Sequence, residues 1–324
     1  MPVPTNVRAA RVTALLLAFQ TAKGTLVSDF TTADAIKVWR EAVTLPAHRE
    51  ISADAWMDSS LGPGEAARYR RSEKPAGVFR VAATRENLEW LLKSNYGAFS
   101  GGTFTLATQV ALTRWLTIGW VENVAGGTQQ FVRIRDAWIH KLDFVARGPQ
   151  DRLEILAHWA GRTSSVQALN GGGITLPASP MQPSDKAVFP VANVQVIRDP
   201  SGANVELPID FARLTLDQRL RHVRDQAEQL YSVSKAGKLH ATLEIGSRRL
   251  GDELWTLLSN NRAGTDAQVR FKATVGSSVL QVDLYNLLLQ PHEIGVEGQE
   301  VHPFLAAGEA TRDSSGNFVT VTLT

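Results

Sequence analysis

Much of the chain is written in runs where polar and apolar residues alternate, the two-residue period of a strand with one wet face. The pattern is clearest in Gln130–Arg135 and in Arg152–Trp159. In the second run Leu153, Ile155, Ala157 and Trp159 share one predicted face, and Arg152, Glu154 and His158 share the other. It returns in Lys238–Ile245, in Gln268–Val275 and in the last seven residues, Phe318–Thr324. Further β-branched and aromatic runs at Ile36–Leu45, Val78–Ala83, Val188–Ile197 and Glu206–Leu216 complete a mainly β reading with antiparallel sheets. Asp199-Pro-Ser-Gly202 reads as a tight hairpin turn. Helix is sparse. One is predicted at Arg85–Lys93, capped by Thr84 before it and Gly97 after it, and a second at Arg248–Leu258. Leu88, Trp90, Leu91 and Leu92 in the first, and Leu254, Trp255, Leu257 and Leu258 in the second, give each an apolar face.

The elements come in the same order twice. A strand, a long polar segment (Ala47–Pro75, then Asp217–Ala236), a glycine, another strand, a helix and several further strands occur in each half. Between the halves the composition changes to Thr-Ser-Ser at 163–165, Gly171-Gly172-Gly173, and then Pro177, Pro180, Pro183 and Pro190. Such a stretch reads as a linker, flexible first and stiff afterwards. The expected organisation is a first domain over 1–165 with an N-terminal arm, a linker over 166–187 and a second domain over 188–324. A length of 324 residues agrees with two domains of ordinary size.

Charge and cysteine content narrow the classes. Lys and Arg total 34 against 32 Asp and Glu, a formal charge of +2 that does not point to tight polyanion binding. Without cysteine there are no disulfides, zinc-thiolate sites, iron–sulfur clusters or thiol nucleophiles. Arg8 and Arg11 followed by Val12–Phe19 superficially offer the flanks of a secretory signal, but the apolar run is only about eight residues and no small-x-small cleavage site follows. An apolar arm packed on its own domain or on a neighbour is the expectation, and no run is long enough to span a membrane as a helix.

Three segments together resemble a known family. They are Ala14–Thr25 (ALLLAFQTAKGT), Gly77–Leu92 (GVFRVAATRENLEWLL) leading to Tyr96-Gly97, and the later counterpart Gly237–Leu258. In this order across two halves they resemble the tail tube (major tail) proteins of long-tailed bacteriophages, in the form with two tube domains in one chain. The second-half helix departs by inserting Gly246–Gly251 ahead of Asp252-Glu-Leu-Trp255. The resemblance implies two tandem β-sandwich, barrel-forming domains, each with a flanking helix. It further implies homotrimeric rings of pseudo-sixfold symmetry that stack into a tube in the virion tail, assembled in the host cytoplasm. Its implied partners are further copies of itself, other tail proteins (terminator, tape measure, distal tail), and genome DNA passing without specific binding. No membrane partner, cofactor or metal is implied.

The long polar segments far exceed hairpin loops of about 2–5 residues, which marks them as functional. In tube proteins the corresponding loop reaches a neighbouring subunit or ring. The candidate contacts are Trp56, Met57, Arg68, Arg70, Arg71 and Lys74 in the first, and Leu220, Val223, Arg224 and Leu230 in the second, where near-helical spacing also predicts an amphipathic helix. For the lumen, the polar positions His240 and Glu244 on one strand and Arg270 and Lys272 on another are the candidates.

Catalytic signatures are missing from the sequence. His292-Glu-Ile-Gly-Val296 begins like a zincin helix but has no second histidine, and neither a nucleophile elbow nor a phosphate loop occurs. The expectation is a non-enzymatic protein. Two alternatives stay open: a carbohydrate-binding or carbohydrate-active β-sandwich using some of the eight tryptophans, and a tail-completion or baseplate protein of related fold.

Overall fold

Strands whose alternate residues are apolar are stable only in layers that cover the apolar side. The computed structural model describes residues 11–31, 35–36, 38–44, 51–53, 68–70, 75–106, 115–123, 129–148, 151–168, 173–176, 187–202, 204–225, 230–235, 238–247, 267–291 and 304–324. In the first half the strands are β1 (Arg11–Phe19), β2 (Ala35–Ile36), β3 (Val38–Thr44), β4 (Ile51–Ala53), β5 (Arg68–Arg70) and β6 (Ala76–Ala82). Helix α1 (Arg85–Asn95) follows, then β7 (Gly97–Ser100), β8 (Thr103–Leu106), β9 (Leu116–Asn123), β10 (Gln129–Arg147), β11 (Glu154–Ala160) and β12 (Thr163–Ala168). The second half has β13 (Val194–Arg198), β14 (Val205–Glu206), β15 (Phe211–Asp217), β16 (Leu220–Asp225), β17 (Leu230–Lys235) and β18 (His240–Ser247). It closes with β19 (Ala267–Val275), β20 (Ser278–Pro291), β21 (Phe304–Ala310) and β22 (Val319–Leu323). The fold is mainly β, with all the named strands antiparallel and joined in one large network apart from two small hairpins.

The pairings recur in order. β1–β2, β1–β9, β9–β10, β10–β12, β10–β11, β6–β11 and β3–β6 in the first half return as β13–β14, β13–β19, β19–β20, β20–β22, β20–β21, β18–β21 and β15–β18 in the second. Both long strands, β10 and β20, bend part-way and so serve two layers. The bends fall at Asp136 and Asn286, 150 positions apart, each with a positive φ (51° and 49°) and each at a shift in ladder register. Asp136 is buried and accepts hydrogen bonds from the Gly24 amide at 2.6 Å and from Arg162 at 3.5 Å. The amide of Asn286 donates to Thr311 Oγ1 at 2.6 Å. Short polar side chains suit the left-handed region because they bond locally at little steric cost.

Beyond the bends, one continuous layer runs β3–β6–β11–β10–β15–β18–β21–β20. Before the bends the strands form a second layer in two pieces, β12–β10–β9–β1–β2 and β7–β8–β22–β20–β19–β13–β14. A single apolar core lies between the layers and draws on both halves, with Phe144 of β10 meeting Phe271 of β19 at 6.5 Å.

The apolar run read as an arm is β1, an interior strand buried on both faces. Leu15 and Leu17 enter the main core, while Leu16 and Ala18 lie with Val121 and Phe131 under a strap built from Val27, Phe30, Ile174 and Leu176. Thr175 and its neighbours bond to Ser28 and Phe30, so this part of the Gly- and Pro-rich stretch is tied down against the first half.

The start of helix α1 is as its sequence predicts, with the Thr84 side chain accepting from the Asn87 amide and Leu88, Leu91 and Leu92 buried, but the helix runs on to Asn95, its C-cap is Tyr96, and Gly97 opens β7 instead of capping it. Trp90 is half-buried and stacks on Phe19 at 4.5 Å. The second predicted helix, Arg248–Leu258, lies outside the described residues. Three strand or helix expectations are corrected, the first being Val188–Ile197, where a 3-10 turn at Val191–Asn193 delays the strand to Val194. Glu206–Leu216 is not one strand, because Pro208 lacks an amide donor and the chain turns between β14 and β15. Nor do Leu220–Asp225 and Leu230 lie in an amphipathic helix: they belong to the hairpin β16–β17, with Leu220 opposite Lys235 and Asp225 opposite Leu230. Helical spacing and strand pairing compete for the same residues here, β-branched Val223 among them, and the cross-strand ladder from Asp225–Leu230 to Leu220–Lys235 decides the outcome.

The bend gives a first prediction. Asn286→Gly is tolerated, whereas Asn286→Val loses about 1–2 kcal/mol because a β-branched side chain is strained at positive φ. Urea unfolding of the two variants checks this, and equal stabilities would refute the account.

Candidate assembly interface

The halves meet where β15 lies along β10. Seven residue pairs align, from Lys141 opposite Asp217 to Arg147 opposite Phe211. On the apolar side of this seam Leu142, Phe144, Leu214 and Leu216 are fully buried. On the other side the residue between Leu142 and Phe144 is Asp143, a carboxylate with no solvent exposure. Its charge is compensated from three strands. Thr215 Oγ1 donates to it at 2.6 Å and Arg213 at 2.7 Å from β15, His158 Nε2 lies at 3.1 Å on β11, and Lys141 Nζ at 3.4 Å on β10. Burial by itself would push the Asp143 carboxyl up, but these hydrogen bonds and the Lys141 charge hold it well below the usual carboxylate range.

A second set of contacts crosses the seam at its end. The buried Gln218 donates its backbone amide to His140 O at 2.8 Å and its side-chain amide to Asn95 O at 2.7 Å, while Asn95 bonds Ile139 O. The C-terminus of α1 is thereby fastened to the second half. Asp217 accepts from the Arg219 amide at 2.7 Å and faces His140. Burial raises its carboxyl while these two partners outweigh it, so the net shift is downward.

No protein-family model matches this chain, and no curated protein matches it in sequence. Its function is therefore argued from this geometry.

The structure separates the predicted lumen residues. His240 and Glu244 lie on the polar face of the continuous layer, in a shallow concavity shared with Lys141, Arg213, Thr215, Asp217 and Glu309. Arg270 and Lys272 lie on β19 in the other layer, where Arg270 pairs with Asp283 at 2.6 Å. Since Phe144 and Phe271 face each other across the core, these two polar faces point in opposite directions. The four residues do not form one surface.

Of the predicted assembly residues, Trp56, Met57, Arg71 and Lys74 lie outside the described residues. Arg68 and Arg70 are on β5, opposite Ala53 and Ile51. Leu220, Val223, Arg224 and Leu230 are on β16–β17. Each long polar segment thus contains a two-stranded hairpin, inserted between the equivalent strand pairs β3–β6 and β15–β18. A two-stranded hairpin alone is marginal in water, so each needs a surface to lie on.

Sequence reasoning missed the seam. The available signal was Asp143 itself, a carboxylate between Leu142 and Phe144 in a strand, since a buried carboxylate demands partners. Among the described residues no group of three or more potential metal ligands is found, and no helix is long and apolar enough to cross a membrane.

Removing a buried carboxylate leaves its cations unpaired, here partly exposed, so Asp143→Ala is expected to cost about 3 kcal/mol near neutral pH. Because the folded-state value is depressed, the contribution is present above the unfolded value of about 3.9 and fades as pH falls below it. Unfolding of both proteins across acid pH checks this: the gap should close on acidification, and a gap that widens there would refute it.

Proposed function

We propose that the protein is a structural subunit that joins to further copies of itself, edge to edge, in closed rings that stack into a tube. The observation that carries this reading is the seam. The two halves share one strand pattern, and β15 of the second lies on β10 of the first in a head-to-tail join. A heterologous join that repeats between chains closes a ring or grows a filament. Among the described residues, the flank of β20 equivalent to the one β15 occupies on β10 carries β19 as far as Ala267, opposite Leu287. By the internal equivalence, β3 of the next copy takes that flank.

Closure also accounts for the unequal layers. The continuous layer has the shorter path and lies inside, and the interrupted layer outside. Three copies of an eight-stranded layer at a spacing of about 4.8 Å and a tilt of about 40° give a barrel roughly 48 Å across, wide enough for a DNA duplex after side chains are subtracted. Closing the sheet also removes its exposed edges. With the family resemblance, the reading is a bacteriophage tail tube protein of the two-tube-domain form, a homotrimer of pseudo-sixfold symmetry in the virion tail. It has no enzymatic role and serves as the conduit for DNA. The hairpins β4–β5 and β16–β17 contact the neighbouring ring or subunit, and the partners are other tail proteins.

A carbohydrate-binding reading gains little from the tryptophans. Trp115, Trp120, Trp138 and Trp159 are buried, and Trp90 is stacked on Phe19.

Negative-stain microscopy of the purified chain tests the proposal. Stacked hollow rings are expected, a lone ring favours a completion protein, and a monomer at all concentrations overturns the assembly reading. Replacing Leu220–Lys235 by a short Gly/Ser loop should leave the fold intact by circular dichroism and abolish long tubes.

A further inference from the structure

An edge strand offers its N–H and C=O groups to any further strand, and proteins blunt such edges with charge, proline, a bulge or shortness. β12 has none of these. It reads Thr-Ser-Ser-Val-Gln-Ala over Thr163–Ala168 and pairs with β10 along its whole length without a shift in register. Every second residue of a strand points its N–H and C=O to the same flank, so three residues of β12 direct theirs away from β10. Among the described residues no backbone bond to that flank is found, and the buried Ser165 hydroxyl has no partner either. The internal repeat shows what such a flank takes. β22 holds the place on β20 that β12 holds on β10, and its outer flank carries β8, with Phe104 opposite Val321 and Thr103 opposite Thr322.

Residues 1–10 lie outside the described residues, and their sequence supplies a matching strand. Residues 2–8 read Pro-Val-Pro-Thr-Asn-Val-Arg. In an extended chain Val3, Thr5 and Val7, all β-branched, share one flank, and Pro2, Pro4, Asn6 and Arg8 share the other. The first flank brings three residues to the three open positions of β12. The second carries two prolines without N–H and a charge, the composition that blunts an edge. Added with this polarity, the segment covers the open edge and leaves a protected one behind it.

Reach decides which copy supplies the strand. β1 begins at Arg11, and β9 and β10 lie between it and β12. A strand added outside β12 is four spacings from β1, about 19 Å. Four residue steps separate Val7 from Arg11, and they span at most about 14 Å. The chain therefore cannot lay its own Val7 on this flank. We propose that β12 is an acceptor edge for the N-terminal segment of a second copy of this chain, paired through Val3, Thr5 and Val7. The two copies are joined by backbone hydrogen bonds, as when an extended peptide adds a strand to a sheet. This strand exchange is a join of a different kind from the one between β3 and β20, and it stands for any pair of copies, whether or not rings form.

The chain has no cysteine, so engineered cysteines report contacts without background. Full-length chains carrying Val7→Cys are mixed under mild oxidation with chains carrying one cysteine at each position of Thr163–Ala168 in turn, each variant being checked by circular dichroism. Disulfide-linked pairs of different chains are expected at one β12 position, or at two that are two residues apart. Added to the Val7→Cys chain, Thr5→Pro removes a donor on the pairing flank and should cut the yield at least about fivefold, while Asn6→Pro on the far flank leaves it unchanged. When Val7→Cys and the reactive β12 cysteine are combined in one chain, the link should still join two chains. Linkage within a single chain, no linkage at any of the six positions, or equal effects of the two prolines overturns the proposal. Rings without the linkage sink this inference alone, and linked copies that form no rings sink the tube reading alone.

Discussion

The ladder between β10 and β15 is the constraint on which the rest of the architecture depends. It converts two half-sheets into one layer and forces both halves to share one core. It also fixes register, since a slip of one residue would turn Leu142 and Phe144 outward and Asp143 inward. Asp143 guards against that slip. In its observed place it finds Thr215, Arg213, His158 and Lys141, and one position away it would be a bare charge against Leu and Phe. The polar network is small, but the sign of its penalty makes the seam specific as well as stable.

The two halves repeat their pairings but not their outer surfaces. The first half covers Leu16, Ala18, Val121 and Phe131 with the strap of Val27, Phe30, Ile174 and Leu176. The equivalent surface of the second half carries Lys272, the Arg270–Asp283 pair and Gln281. One surface needs a cover and the other is polar by itself. The segment between the halves provides part of that cover, Ile174 and Leu176, so a stretch with linker composition has a packing role. Its glycines and prolines are compatible with both, because composition reports chain stiffness and not what the chain lies on.

Local signals were legible and long-range ones were not. The strands with alternating faces, α1 with its Thr84 cap, and the Asp199–Gly202 turn follow from periods and caps that a few neighbouring residues determine. The hairpin β16–β17 is not legible because Leu220, Val223 and Leu230 also fit a helical period, and only their cross-strand partners, such as Lys235 opposite Leu220, show that they belong to strands. The lumen candidates fall on two surfaces for a related reason. Alternation identifies a wet face on each strand but not which layer the strand joins, so Glu244 and Arg270 looked equivalent although they point to opposite sides of the core. The seam was illegible as a whole, since Asp143 and Arg213 are 70 positions apart and neither carries a motif.

The near balance of charge in the whole chain argues against tight polyanion binding, and the structure keeps that balance locally. On the continuous layer, cations sit beside carboxylates: Arg80 with Glu154, Arg213 and Lys141 with Asp143, and His240 with Glu309. A polyanion approaching this face must compete with carboxylates already in contact with those cations, and each phosphate contact is weakened accordingly.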